Sequence, residues 1–510
     1  MASIVPLMVG LPLGVAFAVV AMAHAKPLKR LTGLVAVLAV LLNFAIALAL
    51  LGADVPRIFL GGWGPDPART LGIEVLCDGL TKMMAVTINA VALVSLLFAG
   101  AYMRRFTKVW LFQALFLLMT GAMNGVVLAG DLFNLFVFLE IAAIASYALV
   151  AFGCESEELE AAFRYLVLGT IGSAFILLGV TVLYSVTGQL NMAAVAGKLA
   201  AIGPGPAVLL AAAALIGGLA LKAAMVPFHA WLPDAHPSAP APISAMLSGV
   251  LIKASGVYAI ARLIFNVFGP TPQYAAILIV LGAASMVIGM LMAMGQWDLK
   301  RLLAYSSISQ AGYIILAFGV AAEVLSRATP DRAVAGLCLF GGLFHLLNHA
   351  AFKSLLFLAS GSIEQQVGTR QLKEMGGLTR RMKVTAFCCR IGALSIAGVP
   401  PFNGFFSKLI ILLGLAMAQQ YVLCAIAAAV AVGTLLMYVR VQRYVLEGPP
   451  GDRVARAGEA PALMCLALVV LTIVCIAAGL AIVPLREHLL GPARDVLLNA
   501  TNALSMGAMP

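Results

Sequence analysis

The feature of this sequence that most limits its fold is a succession of apolar blocks, each about twenty residues long, running from one end of the chain to the other. A helix of about twenty residues spans roughly 30 Å of hydrocarbon. Backbone inside lipid must satisfy its own hydrogen bonds, so such blocks have to be helices. Of the 510 residues, 63% are hydrophobic and only 10% are charged, against about 25% charged in soluble domains. A water-soluble enzyme of this size is excluded, because too little polar surface would remain to face solvent. The pattern predicts spans near 3–22, 31–51, 75–101, 109–129, 132–152, 161–186, 207–228, 242–265, 273–294, 303–322, 334–359, 385–415, 420–438 and 462–484. The expected class is therefore an all-α integral membrane protein of about fourteen transmembrane helices.

A net charge of +11 could suggest nucleic acid, but the basic residues lie in short loops between spans, where they set topology. The first span is not expected to be a cleaved leader, since Lys26, Lys29 and Arg30 follow it rather than precede it. One set of alternate loops carries those three with Arg104, Arg105, Lys108, Lys300, Arg301, Arg370, Lys373, Arg380, Arg381, Lys383, Arg440, Arg443, Arg453 and Arg456. The opposite set is poorer: Arg57, Arg69, Lys198, Arg327, Arg332, Arg486 and Arg494. Basic loops stay cytoplasmic, so both termini are expected outside. The longest loops, 52–74, 187–206, 360–384 and 439–461, are too short for a separate soluble domain.

Charged groups within the spans carry the functional signal, because a charge at mid-bilayer costs several kcal/mol. Glu140 lies in the fifth span, Lys222 in the seventh, Lys253 in the eighth and Lys408 in the twelfth. His345, His349 and Lys353 follow at four-residue steps in the eleventh, so they share one helix face. Desolvation disfavours the charged form of a lysine without a partner, a burden in a structural residue and an asset in a proton carrier. Lys82 and Arg262 sit near span ends and are expected to snorkel to the headgroups. Two spans hold helix breakers: Pro227 follows Lys222, and Pro400 and Pro401, between Gly398 and Gly404, precede Lys408. Proline removes a donor and frees carbonyls, and broken helices in membranes line polar cavities. One break in each half, each beside a lysine, is the pattern of a duplicated transporter.

Other signals are weaker. His229, Asp234 and His236, in PFHAWLPDAHPSAP, are expected in a loop capping the membrane domain, a candidate proton entry. The run ESEELE, from Glu155 to Glu160, reads as a solvated loop and helix start. The eight cysteines form no CxxC pair, so neither a metal nor any other cofactor is expected. No phosphate-binding loop, dinucleotide fingerprint or nucleophile elbow appears, so no catalytic or redox site of the chain's own is expected.

On these residues the chain resembles the antiporter-like subunits of respiratory complex I, Mrp-type cation/proton antiporters and membrane-bound energy-converting hydrogenases. The resemblance rests on GDLFNLFVFLE (Gly130 to Glu140), PFHAWLPDAHPSAPAP (Pro227 to Pro242), DLKRLLAYSSISQAGY (Asp298 to Tyr313) and GVPPFNGFFSK (Gly398 to Lys408). Gly61 to Trp63, then Gly72, Ile73 and Asp78, also fit. GDLFNLFVFLE is most similar to the D component of the Mrp-type antiporters. The resemblance implies two inverted five-helix repeats with seventh and twelfth helices broken. It divides the chain into an N-terminal segment 1–108, repeats 109–265 and 266–445, and a last span with a short tail 446–510. It implies Glu140 and Lys222 as the charged pair of the first half and Lys253 as the central lysine. His345 and His349 would lead to the second half, with Lys408 as its terminal lysine. It also implies H+, with or without Na+, as the transported ion, other membrane subunits as partners, and a bacterial or archaeal cytoplasmic membrane as the location. A non-conducting scaffold subunit of the same kind of complex is the alternative, and an independent solute carrier a third reading.

Overall fold

The computed structural model describes residues 2–55, 58–60 and 72–499. Gly61 to Trp63 lie outside the described residues. Among those described, the chain is almost entirely helical. Twelve uninterrupted helices are long and apolar enough to cross a membrane. They are α1 (Leu7–His24), α2 (Thr32–Leu51), α3 (Gly79–Tyr102), α4 (Val109–Leu128), α5 (Leu132–Val150), α6 (Ser156–Thr187), α8 (Ala241–Phe268), α9 (Pro272–Met294), α10 (Leu299–Leu325), α11 (Arg332–Val367), α13 (Tyr421–Val441) and α14 (Ala462–Leu480). Two more are interrupted: α7 (Pro206–Lys222, then Leu232–Ser238) and α12 (Lys383–Ala397, then Asn403–Met417). Neither half alone is long enough to span hydrocarbon. An antiparallel pair of short strands, Ile58–Phe59 and Glu74–Val75, closes the connection between α2 and α3.

Polar residues place the helix starts. Asp78 caps α3 by accepting from the Thr81 amide at 2.9 Å, Asp131 caps α5 through Asn134 at 2.6 Å, and Asp298 caps α10 through Arg301 at 2.9 Å. Each side chain satisfies one of the orphan donors at a helix N-terminus.

Burial sorts the helices into centre and rim. Helix α8 is buried throughout, and α10 and α11 nearly so, whereas α1, α2, α6, α9, α13 and α14 expose broad apolar faces. The 36-residue α11 touches α3, α8, α10, both halves of α12 and α14, and it is the spine of the second half. Helices α9 and α10 pack along their lengths with backbones in near contact. A Cβ added at Gly282 would lie 2.5 Å from the Leu316 nitrogen, and one at Gly312 would lie 2.6 Å from the Gly282 carbonyl oxygen. Small residues allow such approach between membrane helices. Gly282→Leu is therefore expected to cost about 1–3 kcal/mol, read as a lower thermal unfolding midpoint in detergent. Gly217→Ala, at a position with open space around it, should leave the midpoint unchanged.

Candidate functional site

Both interrupted helices end where the sequence places its breakers. The first half of α7 stops at Lys222, and Ala224 then takes a positive φ of 53° ahead of Pro227. The first half of α12 stops at Ala397, Gly398 turns at φ 80°, and Pro400 and Pro401 follow. Each break leaves helix C-terminal carbonyls without intrahelical partners, and each is met from within the bundle. The Trp231 indole donates to Leu221 O at 3.0 Å. Lys408 Nζ donates to Ile396 O at 2.8 Å. A cation at a helix C-terminus also opposes the negative end of its dipole.

Lys222 lies buried at the end of the first half of α7, its Nζ 3.2 Å from Glu140 Oε1 on α5. Ser173 of α6 donates to the same carboxylate oxygen. The Glu140 side chain is 28% exposed, on a stripe of α5 shared with exposed Phe133 and Ile144. These three residues are separated by seven and four positions, which returns them to one helix face.

Lys253 is fully buried in α8, in a stretch of repeated π-helical turns. Its ammonium donates to Ser248 O one turn back. Lys353 is equally buried and donates to Leu303 O at 2.7 Å and to Ser306 on α10. Among the described residues, no carboxylate pairs with Lys253, Lys353 or Lys408 within salt-bridge distance. Burying an ammonium group without a counter-charge is costly, which sets these three lysines apart from one held by a carboxylate.

His345, His349 and Lys353 occupy one face of α11, all fully buried. The His345 and His349 rings lie 6.4 Å apart. His345 Nδ1 is 3.0 Å from Ser407 Oγ, next to Lys408. The Tyr313 ring lies 5.7 Å from His345 and 5.4 Å from Lys408 Nζ. His345 Nε2 and both ring nitrogens of His349 have no hydrogen-bond partner, which leaves them open to buried water. Lys253, Lys353 and Lys408 are all near enough to act electrostatically on His349. The structure thus brings together Lys253, His345, His349, Lys353 and Lys408, with Glu140 and Lys222 as a separate pair on the flank.

The three residues expected in a capping loop separate. Residues 232–238 are helical, the second half of α7. Asp234 is held at the surface by Arg164 at 2.9 Å and Arg301 at 3.2 Å. His229 is half-buried, whereas His236 is fully buried and stacks on Phe357 with ring centroids 4.5 Å apart. His236 faces inward because the short helix turns its apolar side, with Leu232 and Ala235, into the bundle.

Arg262 does not snorkel. It is buried at the end of α8 and gives Asp78 a two-pronged pair at 2.6 and 2.9 Å, with further bonds to Thr81 and Tyr258. A guanidinium fork matches a carboxylate bidentately and tolerates burial better than an ammonium. This clamp between α3 and α8 was not legible from spacing, because 184 positions separate its partners. Removing one partner from such a pair costs about 3–5 kcal/mol. Asp78→Ala is expected to lower the yield of folded protein sharply, and Asp78→Ala with Arg262→Met to recover most of it, read by size-exclusion chromatography.

Comparison with known proteins agrees in every direction. Residues 129–434 match the family described as NADH:quinone oxidoreductase/Mrp antiporter, TM. The chain is 37% identical to NADH-quinone oxidoreductase subunit N of Desulforudis audaxviator, over 89% of this chain and 91% of that one. It is 30% identical to the D component of the Na(+)/H(+) antiporter of Alkalihalophilus pseudofirmus, over 97% of both. Among solved structures, a chain of the Mrp complex from Dietzia sp. superposes with a TM-score of 0.89 at 28% identity, covering 99% of both chains. A chain of a membrane-bound sulfane sulfur reductase, an archaeal respiratory membrane complex, superposes at 0.86 with 31% identity, over 98% of this chain and 99% of that one.

Proposed function

Since this chain belongs to the NADH:quinone oxidoreductase/Mrp antiporter transmembrane family, we propose that it is the proton-translocating subunit of a larger membrane assembly. The observation that carries this reading is the buried line of Lys253, Lys353, His349, His345 and Lys408, whose ammonium and imidazole groups have no carboxylate partner among the described residues. Ionisable groups kept inside a membrane at such expense mark ion pathways.

The Glu140–Lys222 pair acts as the switch. At 3.2 Å the gross attraction is about 5 kcal/mol at an effective dielectric near 20, reduced by the partial exposure of Glu140. With the pair closed, Glu140 stabilises the Lys222 charge. With the pair open, that charge is unsupported and drives proton redistribution along the line through Lys253. Lys253 passes its proton by way of buried water, His349 and His345 to Lys408, which releases it outside. Lysines repel cations, so any sodium movement, the activity named for the Alkalihalophilus relative, takes a route in a neighbouring subunit.

The neighbours are other membrane subunits, as in the Mrp and sulfane sulfur reductase complexes whose chains this one superposes on. Glu140 supports this, because a carboxylate on an otherwise apolar outer stripe is costly against lipid and is relieved where another subunit covers that flank. The division into 1–108, 109–265, 266–445 and 446–510 gives each repeat one broken helix and one lysine beside it. The excess of Lys and Arg in one set of loops favours a cytoplasmic face for that set and both termini outside, in a bacterial or archaeal cytoplasmic membrane.

Glu140→Gln and Lys222→Ala in the intact complex are expected to lower proton-coupled transport at least ten-fold with assembly unchanged. Normal transport in both variants would rule out the switch. Lys253→Ala separates conduction from scaffolding. Lost transport with a normal native-gel pattern supports conduction, and loss of the assembled complex without a transport-specific defect supports a scaffold.

A further inference from the structure

The buried relay has a gap at its cytoplasmic end. Lys353 sits well inside α11, and the next titratable side chain on the same face is Glu364, eleven residues on. Eleven residues make about three turns, so the two share a face roughly 16 Å apart along the axis. Glu364 opens onto a cleft of about 720 Å³ between α3, the α5–α6 connection, the second half of α7, α10 and α11. Lys300 closes the floor of this cleft. Although it lies in a basic cluster expected in a solvated loop, its side chain is 2% exposed, and its Nζ sits 2.8 Å from Glu364 Oε2. It also donates to Ala239 O at 3.2 Å. Arg370 flanks the pair at the rim, 3.6 Å from Glu364 and 3.1 Å from Asp298.

Behind this floor lies His236, three residues before Ala239, which follows the end of the short helix. It is fully buried, and neither ring nitrogen has a hydrogen-bond partner. Its ring covers one Phe357 ring, and Lys353 Nζ lies 5.9 Å from that same ring. Electrostatically, His236 is within range of Lys300, Lys353 and Lys253 together. Lys300 is tied to the end of the His236 helix, and His236 and Lys353 share the Phe357 ring, so the groups run Glu364–Lys300, His236, Lys353.

We propose that the Lys300–Glu364 pair is the cytoplasmic loading site of the relay, taking protons from the cleft and handing them to His236. This rests on the reading of the chain as a proton-translocating subunit. Glu364 takes a proton from water in the cleft, which weakens its hold on Lys300. Lys300, free to move off the floor, opens a water path over which the proton reaches a free ring nitrogen of His236, and Glu364 returns to its paired carboxylate form. No group is consumed, and each transfer moves one proton.

The test uses the native assembly in inverted vesicles, with proton flux driven by the assembly's own reaction or an imposed cation gradient. Glu364→Gln and Lys300→Gln are expected to slow flux at least ten-fold with a normal native-gel pattern, within the range that losing a positioned proton-transfer group brings. Glu364→Ala leaves space in the cleft, and millimolar formate, a small diffusible acid, should restore much of its flux. A purely structural role for Glu364 would not respond to formate. Near-normal flux in both glutamine variants, or a defect that formate leaves untouched, overturns the loading site. Lys253→Ala serves as the reference. If it stops flux while the glutamine variants do not, the relay stands and only the loading site fails. If Lys253→Ala conducts normally, the underlying reading fails with it.

Discussion

An ammonium ion in hydrocarbon must find oxygen, and this molecule supplies it from its own backbone. Within a continuous helix each carbonyl already accepts from the amide four residues on, so a lysine must share it, as Lys353 shares the Leu303 carbonyl of α10. Interrupting a helix frees several at once. The breaks after Lys222 and Ala397 do this at two places in the bundle, and Lys408 takes up one of the carbonyls so released. In α8 the device is different: π-helical turns let Lys253 reach the Ser248 carbonyl of its own helix. Such turns recur at functional positions in helices. Irregular backbone thus serves Lys253 and Lys408, while Lys353 relies on a shared carbonyl and a hydroxyl of the regular helix α10.

Two kinds of buried cation result. Lys222, Arg262 and Lys300 each have a carboxylate partner, at 3.2, 2.6 and 2.8 Å. Lys253, Lys353 and Lys408 have backbone or hydroxyl oxygens instead. The first set is neutralised locally by a counter-charge, and the second is held by dipoles alone. Arg262 stays charged under all ordinary conditions, which suits its place as a clamp rather than a carrier. The paired lysines have partly exposed carboxylates as partners, whereas the unpaired ones are enclosed by the bundle.

Helix α11 organises the interior. Its face carries His345, His349, Lys353, Phe357 and Glu364, and it touches α8, α10 and both halves of α12. The partners of that face come from distant segments: Ser306 and Tyr313 from α10, Ser407 from α12, His236 from α7. A single long helix thus holds the spacing of the groups, and the surrounding helices complete their environments.

Much of this architecture can be read from the chain alone. Twenty-residue apolar blocks admit only helices in lipid, and their positions along the chain are plain from composition. The breakers at Pro227, Pro400 and Pro401 and the lysines beside them are visible as local chemistry, and four-residue steps put His345, His349 and Lys353 on one face. These features depend on neighbours in sequence, where periodicity and composition carry the information. Whether a charge is paired depends on neighbours in space. Lys300 and Arg262 looked like residues reaching for water, and His236 like part of a loop. Packing decided otherwise, by placing Glu364, Asp78 and Phe357 against them from segments 64, 184 and 121 positions away. No local pattern records such meetings, since they follow from how helices distant in sequence share one interior.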